Sequence, residues 1–185
     1  MLPNPLEDYL HLVMPGTAIG MLLYIVLYPL RRRRLANKGL GSSAPREWLM
    51  LLFFAYSGTM AMLTLTPPYF DLIDTLMGRQ QLPIFQTGHI NTTLFFSFQF
   101  GWGMVLGNVM LFMPFPFLAA TLWRGWKWYH ALALAICITV FIEVWQHFVG
   151  RLSDVDDLLL NTVGGILGWL TWLLCKRPML HCEDK

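Results

Sequence analysis

The sequence predicts an all-α membrane protein, a polytopic bundle of about five transmembrane helices that forms one domain over residues 1–185. Composition is the first observation, since 56% of the residues are hydrophobic and only 13% are charged, about half of the roughly 25% that soluble domains carry. The second is that uncharged stretches of about 20 residues, long enough to cross a hydrocarbon core, recur along the chain. The third is a net charge of only +2, which argues against a nucleic-acid partner.

The predicted spans are the apolar stretches between charged segments. The first ends at the run from Arg31 to Arg34, the fourth contains the carboxylate of Glu143, and the fifth stops at Lys176 and Arg177. In chain order, the predicted spans cover residues 9–30, 48–69, 101–122, 128–149 and 158–175.

The distribution of lysine and arginine predicts the orientation of the bundle, because cytoplasmic loops are enriched in these residues. Placing residues 31–47 in the cytoplasm puts eleven lysines and arginines on that side and leaves Arg79 and Arg151 on the other. We therefore expect the N-terminus outside and the C-terminus in the cytoplasm.

Residues 70–100 form the longest predicted loop and lie outside in this orientation. The segment is rich in phenylalanine, and its charged residues are Asp71, Asp74 and Arg79. Because so many aromatic side chains would not be stable in water, we expect part of this loop to lie in the membrane interface or to fold back over the helices.

Polar side chains inside the last three spans fall at a similar depth. An ionisable group at mid-membrane costs about 3 kcal/mol and therefore needs a role or a partner. Glu143 is the only carboxylate inside a predicted span, with Gln146 and His147 three and four residues later on the same face. Asn108 lies about two turns, roughly 10 Å, into the third helix.

The fifth helix adds a stripe of polar and small residues at spacings of three and four, which one helix face produces. The stripe consists of Asp154, Asp157, Asn161, Gly164 and Gly168. Together the three helices predict a polar pocket near the outer surface. Its predicted binding residues are Asn108, Glu143, Gln146, His147, Arg151, Asp154, Asp157 and Asn161.

Structural roles explain parts of this pattern and remain open at this point. Ser153 or Asp154 would cap the fifth helix, and Asp156 with Asp157 would interact favourably with its N-terminal dipole. Glu143 would pair with Arg151, and the amides would form interhelical hydrogen bonds. The two glycines would allow close helix packing, and Pro114 with Pro116 would kink the third helix. No specific metal-ligand spacing is present, so we expect neither a metal nor another cofactor.

The spaced polar residues resemble a known family. The series Glu143, Gln146, Arg151, Asp154, Asp157, Asn161 and Gly164 resembles the signature of the VanZ-like membrane proteins. Upstream, Asn108, Phe112 and Pro114 match that family's asparagine–phenylalanine–proline segment. The resemblance covers roughly residues 101–174, and Pro116 departs from it because the family usually has a glycine there.

The resemblance implies a protein of the bacterial cytoplasmic (inner) membrane, associated with reduced susceptibility to teicoplanin. Teicoplanin is a lipidated glycopeptide that acts on outward-facing cell-wall precursors. The family's motif residues fall on the predicted outer side of this chain, which agrees with that setting.

Three hypotheses follow. In the first, the protein is a non-enzymatic envelope factor whose pocket binds a membrane lipid, a lipid-linked cell-wall precursor or a glycopeptide, with Arg151 contacting phosphate or carboxylate. In the second, it is a small enzyme acting on an outer-leaflet lipid or cell-wall precursor, with Glu143 as general acid or base and Asp157 or His147 as its partner. In the third, it is a structural subunit that stabilises a partner complex. We favour the first, while the oligomeric state and any covalent chemistry stay open.

Overall fold

Five long apolar helices dominate the computed structural model, which describes residues 5–67, 72–79, 88–123, 125–151 and 153–175. Within those residues, five segments are long and apolar enough to cross a membrane. They are His11–Asn37, Ala44–Leu65, Trp102–Leu122, Trp128–Phe148 and Val155–Cys175. The prediction of an all-α membrane bundle with five spans is therefore confirmed.

The first two helices are longer at their charged ends than we expected. Helix α1, Pro5–Asn37, continues through the arginine run. Arginine is a good helix former, and Arg31 forms an ion pair with Glu47 in the next helix. Helix α2, Ala44–Leu65, has a proline in its first turn and ends where Thr66 turns to an extended conformation. An extended residue is expected at that point, since Pro67 follows it.

Helices α1 and α2 form a close antiparallel pair. Their backbones meet at Gly16, Gly20 and Gly58, where an added Cβ atom would overlap the opposite helix. A hydrogen bond of 2.7 Å joins the hydroxyls of Thr17 and Thr59 beside this contact. The main partner of α1 is α2, so most of the remaining α1 surface is left to lipid.

The charged ends of this pair are joined through Glu47. One carboxylate oxygen of Glu47 accepts hydrogen bonds of 2.5 Å from both the Tyr24 hydroxyl and the Arg31 guanidinium. Nearby, the buried Arg46 donates to the carbonyl oxygen of Leu122, at the end of another span. We call this end of the bundle, residues 31–43 and 123–127, the arginine face.

The third span is broken near its middle. Helix α4, Trp102–Phe112, ends before Met113, and α5 covers Pro114–Leu122. Pro114 and Pro116 have no backbone N–H to donate, which opens the helix as the sequence predicts. The carbonyl oxygen of Leu111, just before the break, accepts a hydrogen bond from the Tyr56 hydroxyl.

Helix α7, Val155–Cys175, is the central helix of the C-terminal part, where it contacts α4, α5 and α6, Trp128–Phe148. Gly164 lies against the carbonyl of Val109 in α4, and Gly168 against the carbonyl of Met113 at the break. Gly165 faces α6 instead, where an added Cβ would lie 2.6 Å from the Cβ of Ala135. Small residues thus bring α7 close to its neighbours on two sides.

The loops at the other end of the bundle form a small β-bridge. Strand β1, Ile90–Asn91, pairs in parallel with β2, Ser153–Asp154, and Gly88 donates to the His147 carbonyl at 2.7 Å. A 3-10 helix, Phe96–Phe100, then leads into α4. We call this end, residues 88–101 and 149–154, the loop face.

Of the predicted loop over residues 70–100, the structure describes two parts. The first contains a short helix, α3, Leu72–Leu76. The second, residues 88–100, folds back on the ends of α4, α6 and α7 through the β-bridge and the 3-10 helix. Residues 70–71 and 80–87 lie outside the described residues, as does the predicted stop of the fifth span at Lys176.

Candidate functional site

A polar cavity of about 360 Å³ lies beneath the loop face, between α2, α4, α6 and α7. Its size is in the range of small-molecule sites. Leu63, Met104, Leu111, Phe112 and Ile142 supply much of its apolar wall. Six of the eight predicted binding residues line it: Asn108, Glu143, Gln146, Arg151, Asp157 and Asn161.

The α4 and α7 sides of the cavity are joined by a polar contact. The side-chain amide of Asn108 donates a hydrogen bond to Asp157. One turn further along α7, Asn161 is 4% exposed, and its Oδ1 has no hydrogen-bond partner among the described residues. The period of α7 therefore places a carboxylate and an amide oxygen on the cavity wall.

Glu143 is held in place by the segment that precedes α7. Its Oε2 accepts a hydrogen bond of 2.9 Å from the backbone N–H of Asp154, and its backbone carbonyl accepts one of 2.9 Å from the Ser153 hydroxyl. Its Oε1 is buried and has no hydrogen-bond partner within the described part of the chain. One oxygen of the carboxylate is thus fixed by the backbone, and the other is buried without a partner among the described residues.

Arg151 and Gln146 bind the C-terminal end of α2. Nη1 of Arg151 donates to the carbonyl oxygens of Leu63 at 3.3 Å and Thr66 at 3.1 Å. Nε2 of Gln146 donates to the Thr64 carbonyl at 3.0 Å. The last carbonyls of a helix lack intrahelical donors and carry partial negative charge, so a guanidinium is well suited to this position. Arg151 thus has a capping role that its sequence position does not reveal.

Asp154 and His147, the other two predicted binding residues, lie outside the cavity. Oδ1 of Asp154 accepts from the backbone N–H of Asp156 at 3.0 Å, and Oδ2 accepts from the Asn91 amide at 3.3 Å. Asp154 therefore caps α7 and holds β1. His147 and Asp154 line a separate groove on the outside of α6 and α7.

This groove, which we call the lateral groove, has a volume of about 350 Å³ and an almost wholly apolar lining. Val140, Val144 and Phe148 on α6 are each about half exposed there. Glu143 lines both the lateral groove and the polar cavity. It is therefore the polar residue through which the two sites adjoin.

Asp156 is a residue that sequence analysis did not place in the site. It is 3% exposed, and its carboxylate accepts hydrogen bonds from the backbone N–H groups of Phe95 at 2.7 Å and Ser97 at 2.8 Å. These contacts hold the loop just before the N-terminal end of α4. The local pattern indicated only a favourable interaction of Asp156 with the N-terminal dipole of α7, because its partners lie about 60 positions away in the sequence.

The predicted motif residues Phe112, Pro114, Gly164 and Gly168 all lie where α4, α5 and α7 meet. Phe112 is 2% exposed and packs with Met60 and Ile142, while Pro114 begins α5. Over the described residues, no group of three or more histidine, cysteine or acidic side chains is arranged to hold a metal ion.

A family model described as VanZ/LLP1 matches residues 17–176 of the chain. The match extends well upstream of residues 101–174 and includes α2 and most of α1. No curated protein and no solved structure matches the chain.

Proposed function

Because the chain belongs to the VanZ/LLP1 family, we propose that this multi-pass membrane protein lowers the susceptibility of a bacterium to teicoplanin-type glycopeptides. In this proposal the protein resides in the cytoplasmic membrane with its loop face outside. It acts by binding an amphiphilic or lipid-linked ligand, such as a membrane lipid or a cell-wall precursor, in the polar cavity.

The observation that carries this proposal is the cavity itself. Four helices, α2, α4, α6 and α7, surround a polar space beneath the loop face, and two buried oxygens on its lining residues, Glu143 Oε1 and Asn161 Oδ1, have no hydrogen-bond partner in the described chain. Buried polar atoms are normally paired, so these two oxygens support a ligand-binding role over a purely structural one.

The test is the susceptibility of a sensitive bacterium to teicoplanin and vancomycin when it expresses the full chain. The variants are Glu143→Gln and Asp157→Asn, which keep side-chain shape but remove charge, and Gly168→Leu, which disrupts helix packing. Each variant is compared at equal abundance in the membrane. We expect wild type to protect against teicoplanin and both polar variants to lose part of that protection.

Other results would contradict the proposal. Full protection by both polar variants would mean that the cavity is not the functional site and would favour the structural-subunit hypothesis. If the wild-type protein does not protect the bacterium against teicoplanin, the proposed role in resistance is wrong.

A second candidate, a small membrane enzyme acting on an outer-leaflet lipid or cell-wall precursor, is favoured by one observation. Glu143 has one oxygen fixed by the Asp154 amide and one without a partner in the part of the chain that the structure describes, which suits a residue that accepts or donates a proton. An enzyme that depends on Glu143 would lose its effect almost completely in Glu143→Gln, whereas a binding protein would weaken by degrees. The described lining of the cavity contains no serine or cysteine, which makes a covalent intermediate on those groups the less favoured route.

A further inference from the structure

Three hydrogen-bond donors on the lining of the polar cavity already have protein partners. The amide of Asn108 donates to Asp157, the amide of Gln146 donates to the Thr64 carbonyl, and Arg151 donates through Nη1 to the end of α2. These donors are therefore partly satisfied before any ligand binds.

The unsatisfied atoms are acceptors. Asn161 is 4% exposed and lines the cavity, and its Oδ1 has no hydrogen-bond partner among the described residues. Oε1 of Glu143, on the facing helix, is also buried and without a partner in that part of the chain. A buried acceptor without a hydrogen bond is unfavourable, so the cavity favours a ligand that donates hydrogen bonds.

The charge of the cavity favours the same kind of ligand. Two carboxylates, Glu143 and Asp157, line it together with the single guanidinium of Arg151. Because that guanidinium also compensates the negative end of α2, the cavity is suited to a cation more than to a phosphate.

The lateral groove supplies the second half of the site. Its lining is apolar apart from a few polar atoms, it lies on the exposed outside of α6 and α7, and Glu143 lines both the groove and the cavity. A hydrocarbon chain in this groove would leave its head group beside the Glu143 carboxylate.

We infer that the ligand of this protein is an amphiphile with a primary ammonium head group, which donates to Glu143 and Asn161 in the cavity while its hydrocarbon chain lies in the lateral groove. This inference rests on the proposed function and specifies the ligand of the same site.

The experiment measures binding to the full-length protein in nanodiscs of phosphatidylcholine, with thermal unfolding followed by tryptophan fluorescence. The probes share a twelve-carbon chain and differ in head group: dodecylamine, dodecyl phosphate and dodecyl maltoside. We expect dodecylamine alone to raise the unfolding temperature, by about 5 °C near saturation.

Variants of the cavity residues test where dodecylamine binds. Glu143→Gln removes the charge but keeps the shape, and we expect it to weaken dodecylamine binding about tenfold to a hundredfold. Asn161→Leu should weaken it as well. The control for charge is Asp74→Asn, which removes an exposed carboxylate in α3, and it should bind dodecylamine as wild type does.

A matched pair of variants tests whether the hydrocarbon chain of the ligand lies in the lateral groove. Val144→Trp fills the lateral groove, whereas Val163→Trp adds the same bulk at a similarly exposed position on α7 outside the groove lining. We expect only Val144→Trp to weaken dodecylamine binding.

The inference would be overturned by stabilisation with dodecyl phosphate, by equal stabilisation with dodecyl maltoside, or by an unchanged response to dodecylamine in Glu143→Gln. The absence of any dodecylamine effect on wild type would overturn it too. None of these results decides the proposed function, because the susceptibility assay with Glu143→Gln and Asp157→Asn tests that function without reference to any probe.

Discussion

Asp156 shows how one carboxylate at the residue scale fixes an entire loop. Both of its oxygens accept backbone N–H groups from the segment that precedes α4, and Phe95 adopts a left-handed conformation with φ of 64° between those contacts. A conformation of that kind is unfavourable for phenylalanine, so the two hydrogen bonds offset a local strain.

We predict that Asp156→Asn destabilises the protein by about 1–3 kcal/mol, because the amide keeps one acceptor oxygen and leaves one backbone N–H unpaired. The measurement is the free energy of unfolding in mixed micelles, together with hydrogen exchange of residues 93–100. The exposed Asp74→Asn is the control and should stay within about 0.5 kcal/mol of wild type. Equal values for the two variants would show that the loop does not depend on this carboxylate.

Helical periodicity was enough to predict which polar side chains share the cavity on α7, since Asp157 and Asn161 are one turn apart. It was less informative around Glu143. Gln146 lines the cavity and His147 lines the lateral groove, because successive residues of a helix differ by about 100° in direction. The partners of Arg151 and Asp156 could not be predicted, since they are backbone groups distant in the sequence.

At the scale of the elements, the contact between α7 and the break in the third span depends on the absence of a side chain at Gly168. A Cβ atom there would overlap the backbone carbonyl of Met113, and backbone cannot move aside as a flexible side chain can.

We predict that Gly168→Ala destabilises the protein by about 1–3 kcal/mol through this overlap. The matched control is Gly107→Ala in α4, where an added Cβ meets nothing within 4 Å. That control should be neutral or gain up to about 1 kcal/mol, because alanine is the better helix former. The measurement is the free energy of unfolding of both variants. If Gly168→Ala leaves this free energy unchanged, α7 is not tightly packed against Met113.

The existence and order of the helices followed from apolar length alone, whereas their ends did not. Helix α1 extends to Asn37 and not to residue 30, and α7 begins at Val155 and not at residue 158. In both cases the added segment begins or ends in charged residues, some of which hold a polar partner, such as Glu47 for Arg31 and Asn108 for Asp157. Rules based on hydropathy stop at the first charge and therefore shorten such helices.

The whole molecule has two chemically different ends. The arginine face carries Arg31 to Arg34 and Lys38, and the loop face contains Arg151 with the acidic start of α7. The same asymmetry is the basis of the predicted orientation, in which the loop face lies outside.

Cysteine labelling tests that orientation in intact cells. In a chain with Cys137, Cys175 and Cys182 replaced by serine, we expect a membrane-impermeant maleimide to label Thr93→Cys in the loop face. Lys38→Cys in the arginine face should react only after permeabilisation. Both positions are exposed, so a difference in labelling reports the side of the membrane, and the opposite pattern would invert the proposed topology.

The break at Met113 divides the third span into two halves with different surroundings. Helix α5 has five buried residues in nine, whereas α4 has two in eleven and presents much of its surface to lipid. Sequence variation should therefore be tolerated unequally along this one span. Relatives that diverge in ligand preference are expected to differ in the half before Met113, where Asn108 lies. In the half after Met113 they are expected to conserve the volume of the buried side chains.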